Sequence, residues 1–222
     1  MRLNASKRIY LVRHGESEAN VAKVHGSGLS PLTEKGRAQA EFTAERVSKL
    51  PIQCIIASTM VRAQQTAEAI SKKINKPIES SDLFVESKGP SEFTDRPYVD
   101  PESAAAYASM RENYGKEGWR LSDAEMFEDH TKRAQAALNF LAQREEKHIL
   151  VVTHGIFLRL LAAHVVFGPT PTAYECQRIA HGLETENTGL TIFEYEEKIF
   201  DGAPLPNLWQ VFVWNDHAHL AD

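Results

Sequence analysis

The chain has 222 residues, 42% of them hydrophobic and 25% charged, with a net charge of −5; this is the balance of an ordinary globular protein that can bury a sizeable core. Acidic and basic residues are mixed throughout, so no basic block points to nucleic acid, and no run approaches the roughly 20 apolar residues of a membrane span. Two cysteines, Cys54 and Cys176, exclude a disulfide framework or a Cys-rich metal site. The absence of a long apolar N-terminal segment adds the expectation of a cytoplasmic, reducing location.

In chain order, the first predicted strand is Ile9–Val12, an apolar run without strict alternation that suits burial on both faces of a sheet. A helix is predicted over Thr33–Leu50, with Thr33 as N-cap, Glu34 in the first turn and Pro51 as a stop. The second strand is Cys54–Ala57, where Cys54 reads as a small buried core residue. Met60–Ile74 follows as a helix with Ala63, Ala67, Ile70 and Ile74 on one face, ended by Asn75-Lys76-Pro77. Residues 87–121, carrying several prolines and glycines around one helical stretch near Glu102–Tyr114, read as an insertion that covers a site. Ser122–Glu145 is predicted helical, Ile149–Thr153 is a third buried strand, and Gly155–Phe167 is a buried helix closed by Gly168-Pro169. Gly189–Tyr195 and Leu208–Trp214 are two further strands, paired as a hairpin or added separately to the sheet. The repeated strand–helix alternation predicts an α/β layered fold, with residues 1–222 forming a single domain.

The chemistry gathers where apolar strands end. Ile9-Tyr10-Leu11-Val12 runs into Arg13-His14-Gly15, Ile55-Ile56-Ala57 into Ser58-Thr59 and then Arg62, and Leu150-Val151-Val152 into Thr153-His154-Gly155. In parallel strands these carboxyl ends share one rim, where ligands bind in open α/β sheets. Gly15 is expected to allow a sharp turn that brings backbone N–H groups near an anion. Two arginines and two histidines on that rim suit a compact dianion, above all a phosphoryl group. A neutral histidine there can attack phosphorus, and a leaving alkoxide then needs an acid at the rim. Glu86, after Leu83-Phe84-Val85, is the better placed candidate, with Glu92 as its neighbour and competitor.

The combination of Arg13-His14-Gly15-Glu16 with Asn20, Ser58 through Arg62-Ala63-Gln64-Gln65-Thr66-Ala67, and Thr153-His154-Gly155 resembles the histidine phosphatase superfamily. Pro31-Leu32-Thr33, Gly36 and Asn187-Thr188 extend the likeness over residues 9–195. The resemblance implies a three-layer α/β/α sandwich with a mainly parallel central sheet, a helical and loop insertion over the active site, and no metal cofactor. It implies His14 as the phosphorylated nucleophile. Arg13, Arg62 and His154 then clamp the phosphoryl oxygens, Ser17 and Asn20 help at the pocket edge, and Glu86 is the proton donor, matching the family's Leu-x-Glu pattern only loosely. Leu29 stands where many members have Asp, which leaves the chemistry intact and bears on how the loop packs.

Family members divide between phosphatases and phosphoglycerate mutases. Residues 87–121 do not resemble the long, Arg-rich substrate segment of the mutases, so the expected activity is phosphomonoester hydrolysis on a small phosphorylated metabolite or a phosphoprotein. A mutase-type phosphotransferase and a non-catalytic phospholigand-binding protein are the alternatives. Lys88, Arg96 and Arg120 could reach distal substrate groups but read first as solvated loop charges, and Tyr98, Tyr107 and Trp119 either line a cap or form its local core. Asp216-His217-Ala218-His219 holds metal-ligand side chains, yet such a terminal pair reads first as a polar strand edge.

Overall fold

A computed structural model of the chain describes residues 6–196, 199–200, 203–204 and 209–218. Its elements are β1 (Lys7–Arg13), α1 (Glu18–Ala22), α2 (Glu34–Val47), β2 (Cys54–Ala57), α3 (Val61–Ile74), β3 (Ile78–Ser80), α4 (Pro101–Glu112) and α5 (Phe127–Gln143). They continue with β4 (His148–Thr153), α6 (Gly155–Phe167), α7 (Ala173–Gly182), β5 (Leu190–Tyr195), β6 (Ile199–Phe200), β7 (Ala203–Pro204) and β8 (Trp209–Asp216). The main sheet has the order β3-β2-β4-β1-β5-β8. β3, β2, β4 and β1 pair in parallel, whereas β5 runs antiparallel to both β1 and β8. The expected α/β sandwich is therefore observed, with a mixed sheet whose parallel part carries the predicted strand ends. The two C-terminal strands are sheet neighbours, and the short β6–β7 ladder lies between them in sequence.

Side chains alternate across the parallel strands and so build two cores. Ile9 and Leu11 of β1, Ile56 of β2 and Ile149 and Val151 of β4 face one side, where they pack with Ala134, Leu138 and Leu141 of α5 and Phe157 and Leu161 of α6. Tyr10, Val12, Ile55, Ala57, Leu150 and Val152 face the other, against Ala44 and Val47 of α2 and Ala63, Ala67 and Ile70 of α3. Both faces of each strand are covered, which explains why these runs are apolar throughout rather than alternating. Each large aliphatic side chain sealed this way contributes roughly 1.5–3 kcal/mol of transfer free energy. Because α2 follows β1 on one face and α6 follows β4 on the other, the adjacent carboxyl ends of β1 and β4 form a topological switch point, which opens a crevice.

Helix starts follow their caps. Thr33 Oγ1 accepts from the Gly36 N–H at 2.9 Å and starts α2 as the sequence predicts. α5 begins at Phe127 rather than near Ser122: Ser122 lies at φ 50°, outside helical space, and Asp129 accepts from the Met126 N–H at 3.0 Å. α4 is held by Asp100, whose side chain accepts from Ser103 N–H, with Pro101 at the first helical position. The chain reading assigned no element to α7, although Thr172 and Glu175 form a reciprocal capping box there. Cys54 is half-buried at the margin of the core instead of inside it, while Cys176 is buried, and burial pushes both thiols up to about 11.

Candidate active site

The register of β1 and β4 places the two histidines side by side. Arg13 pairs with Thr153, and the His14 N–H donates to Thr153 O at 3.0 Å, so His14 and His154 leave the sheet at the same level. Their ring centroids are 5.0 Å apart. β2 adds the third strand end: Ala57 pairs with Val152, Ser58 N–H donates to Val152 O, and the Ser58 hydroxyl lies 2.8 Å from His154 Nε2. α3 starts at Val61 and carries Arg62 into the same crevice.

The hydrogen bonds fix the state of His14. Its Nδ1 lies 2.7 Å from Gly15 O, and a carbonyl only accepts, so Nδ1 carries the proton. Arg62 Nε donates to Nε2 at 3.1 Å, so Nε2 presents its lone pair. Burial, then the Arg62 and Arg13 guanidiniums, hold the imidazole well below the ordinary histidine pKa, against the smaller opposing effect of the Gly15 bond. His154 is depressed likewise by burial first, then by His14 and the two arginines. Both rings are neutral at physiological pH.

Arg62 is buried, and its remaining donors meet Ser27 O at 2.9 Å and Met60 Sδ at 3.3 Å. Arg13 donates to Thr185 O, and its Nε is buried without a hydrogen-bond partner, as is Nδ1 of His154. No carboxylate among the described residues forms an ion pair with either arginine. Guanidiniums that make no direct ion pair and feel Glu86 only at longer range, beside side-chain nitrogens without partners, suit an incoming anion.

Glu86 reaches this crevice through the turn after β3. Thr153 Oγ1 donates to Phe84 O at 2.8 Å, tying that turn to the end of β4. The Glu86 carboxylate accepts from the Ile156 and Phe157 N–H groups at 3.1 and 2.9 Å, at the N-terminus of α6, and from Ser87 N–H at 2.9 Å. It lines the same cleft as Arg13, His14 and Arg62. Glu92 is exposed, accepts from the Ser122 hydroxyl and does not line that cleft. Ser17 and Asn20 both line the cleft and cap α1 reciprocally: Asn20 N–H donates to Ser17 Oγ and Ser17 N–H to Asn20 Oδ1.

Gly15 has a different role from the expected one. It is absent from the positive-φ glycines, and a Cβ there would stand 2.4 Å from Gly36 O, so close approach of α2 is what requires glycine. Its N–H donates to Thr66 Oγ1 at 3.1 Å. The three loop cations form ion pairs near the surface, as the preferred reading of them as loop charges suggests: Lys88 with Asp123, Arg96 with Asp100 and Glu102, Arg120 with Asp129. Tyr98 and Tyr107 line the cleft, and Trp119 does not. Leu29 is exposed on the loop beside Gly28, whose carbonyl accepts from Val61 N–H at the start of α3. Asp216 is ion-paired with Arg46 and His217 Nδ1 contacts Asn215 O, while His219 lies outside the described residues.

Two residues gain a place at the site that the sequence did not assign them: Arg159, and Asn187, which the sequence offered only as part of the family likeness. Arg159 lines the cleft one turn past Gly155 and donates to Gly155 O and to Ala180 and Leu183 O at the end of α7. Its signal was the four-residue spacing from Gly155. Asn187 donates to His14 O at 2.9 Å, and Thr188 N–H to Arg13 O at 2.9 Å, bracing the histidine-bearing turn from a distant loop. The whole cleft, which reaches from these groups to α4, α6 and α7, has a volume of about 650 Å³, within the range of small-molecule sites. Among the described residues no helix is long and apolar enough to cross a membrane.

Comparison with known proteins agrees with this geometry. The family model of the histidine phosphatase superfamily (branch 1) matches residues 9–202. A probable phosphoglycerate mutase GpmB from Proteus mirabilis (strain HI4320) is 33% identical over 218 residues, 97% of this chain and 95% of the relative. Phosphoglycerate mutase-like protein 4 of Arabidopsis thaliana is 29% identical, covering 96% of this chain and 87% of its own length. Among solved structures, Bacillus stearothermophilus YhfR superposes with a TM-score of 0.77 at 26% identity, covering 96% and 99% of the two chains. A mycobacterial glucosyl-3-phosphoglycerate phosphatase shares the fold at 20% identity, with a TM-score of 0.73 over 95% and 99%. The chain belongs to the histidine phosphatase superfamily.

Proposed function

We propose that the protein hydrolyses phosphomonoesters through a phosphohistidine at His14 Nε2. The observation that carries this reading is the buried neutral imidazole, with Nδ1 engaged by Gly15 O and Nε2 turned to Arg62. An arriving phosphoryl group takes over the Arg62 donor, and Arg13 Nε and His154 Nδ1 supply two further contacts to its oxygens. The Nε2 lone pair attacks phosphorus as the ester P–O bond breaks, and the leaving oxygen takes a proton from Glu86, which enters this step as the neutral carboxyl and leaves it as the carboxylate. Water then attacks phosphorus, giving a proton to the Glu86 carboxylate as the P–Nε2 bond breaks, which releases phosphate and restores neutral His14 and the Glu86 carboxyl. Positive groups fixed before the reaction stabilise the charge carried by the transferring phosphoryl group.

The names of the curated relatives support a second reading, a phosphoglycerate mutase. A mutase holds a bisphosphorylated acid between its half-reactions and needs cations for two phosphoryl groups. Here Lys88, Arg96 and Arg120 are ion-paired with carboxylates, Arg159 is engaged by carbonyls, and among the described arginines and lysines that line the cleft only Arg111 is exposed. That charge balance favours transfer to water.

Rapid acid-free quench during turnover of a labelled small phosphomonoester should trap acid-labile label on the protein, and His14→Ala should abolish it. Label that persists in His14→Ala removes the nucleophile assignment. A phosphoenzyme that passes its label to phosphoglycerate rather than to water establishes the mutase instead.

A further inference from the structure

We propose that Arg133, Glu125 and His130, of which Glu125 and His130 also line the cleft, form a positioning brace that holds Glu86 at the reacting ester oxygen, so that they control leaving-group protonation by fixing the backbone around the acid. The proposal rests on Glu86 being the proton donor.

Three residues flanking Glu86 are each fixed from α5 or from the turn that precedes it. Val85 O accepts from Arg133 Nη1 at 2.6 Å. The Ser87 hydroxyl lies 2.8 Å from His130 Nε2, and the other ring nitrogen lies 2.8 Å from the Tyr114 hydroxyl. Lys88 is held at both ends of its backbone: its N–H donates to the Glu125 carboxylate at 2.9 Å, and its carbonyl accepts from Glu125 N–H at 2.8 Å. Glu86 itself is left with its carboxylate against the start of α6.

Arg133 links these anchors. Its Nε and Nη2 form a two-pronged pair with Glu125 at 2.8 and 2.6 Å. Its guanidinium also lies over the Phe157 ring, 4.0 Å from the centroid, and the Phe157 N–H is one of the donors to Glu86. One planar cation therefore grips the chain before Glu86, the acid that grips the chain after it, and the residue that receives its carboxylate. The fork geometry needed for this is specific to arginine. His130 is buried and, with burial as the main cause, its pKa falls to about 4. It is thus a neutral donor–acceptor between two hydroxyls and adds no charge beside the acid. The pair is charge-balanced, so it positions Glu86 without pulling on the phosphoryl group.

A brace acting through an acid has a signature that a general structural role lacks: its loss matters in proportion to how much the leaving group needs a proton. Two aryl phosphates of similar size, 4-nitrophenyl and 4-methoxyphenyl phosphate, separate the cases by comparing kcat/KM on the whole chain. Glu86→Gln should lower the methoxyphenyl reaction about 100-fold and the nitrophenyl reaction less than about tenfold. Arg133→Gln and Glu125→Gln should reproduce that split at smaller size, about tenfold against less than about threefold, and adding Arg133→Gln to Glu86→Gln should cost nothing more. Equal losses on both esters, or losses that multiply in the double variant, overturn the brace. Should Arg133→Gln fail to fold, Ser87→Ala, which removes only the His130 contact, carries the same comparison. If Glu86→Gln itself shows no split, the acid assignment fails and the brace falls with it. A split in Glu86→Gln with none in Arg133→Gln, Glu125→Gln or Ser87→Ala overturns the brace alone.

Discussion

Arg62 concentrates three contacts on one side chain: Nε to the His14 nucleophile, Nη1 to Ser27 O and Nη2 to Met60 Sδ. A lysine at that position keeps the charge but presents it at one point, without the fork that spans the imidazole and the loop carbonyl. Arg62→Lys should therefore lower kcat/KM by about 100-fold, comparable to removing one preorganised donor, while circular dichroism stays unchanged. Near-normal turnover would mean that charge alone suffices there. The convergence of Arg13, His14, Arg62 and His154 was legible because each follows an apolar run, and parallel register turns equal position along the chain into proximity. Asn187 and Arg159 were not legible as neighbours of the site, since their places depend on a loop and a helix end folding back from far along the sequence. The pairing of Lys88 with Asp123 and of Arg120 with Asp129 was hidden for the same reason: local sequence shows a cation but not its distant counter-ion.

At the scale of elements, the site depends on how closely α2 can approach the turn after β1. A Cβ on Gly36 would stand 1.9 Å from Glu16 O, and one on Gly15 would stand 2.4 Å from Gly36 O. Both listeners in this contact are backbone atoms, which cannot rotate away. Gly36→Ala should cost roughly 1–3 kcal/mol in urea unfolding, the usual range for overpacking, and it should also reduce kcat/KM because the displaced backbone carries His14. An Ala variant with wild-type stability would show that α2 can shift freely. Sequence pattern located α2 from its Thr33 cap and Pro51 stop, α3 from its apolar face and stop, and α6 from its apolar run and Gly168-Pro169, while α4 was placed only roughly. It placed the start of α5 too early, since residues 122–126 continue the composition of a helix while Ser122 takes a left-handed backbone. α7 was missed although its capping box is explicit, because its face is too short and too partial to stand out from the adjoining loops.

Across the whole molecule, the buried histidines tie stability to pH. His14, His130, His154 and His164 all have pKa values lowered in the folded state, with burial the first cause of each. Below the ordinary value of 6.5 the unfolded chain binds protons that the folded chain refuses, so stability is complete above that pH and declines as pH falls. For His130 the decline runs from 6.5 to about 4, and a shift of that size corresponds to on the order of 3 kcal/mol. Carboxylates add a second, more acidic loss with the same sign. Asp123 and Glu146 are lowered to about 2, chiefly by Lys88 and Arg144, and their contributions disappear as pH falls from the ordinary carboxylate range toward that value. Urea midpoints measured stepwise from neutral pH should therefore begin to fall near pH 6.5, before any carboxylate titrates, and fall again below about 4. His130→Gln should flatten part of the first decline while leaving the second. A midpoint that stays level down to pH 4 would contradict buried neutral histidines, and with them the uncharged imidazole that the proposed attack on phosphorus requires.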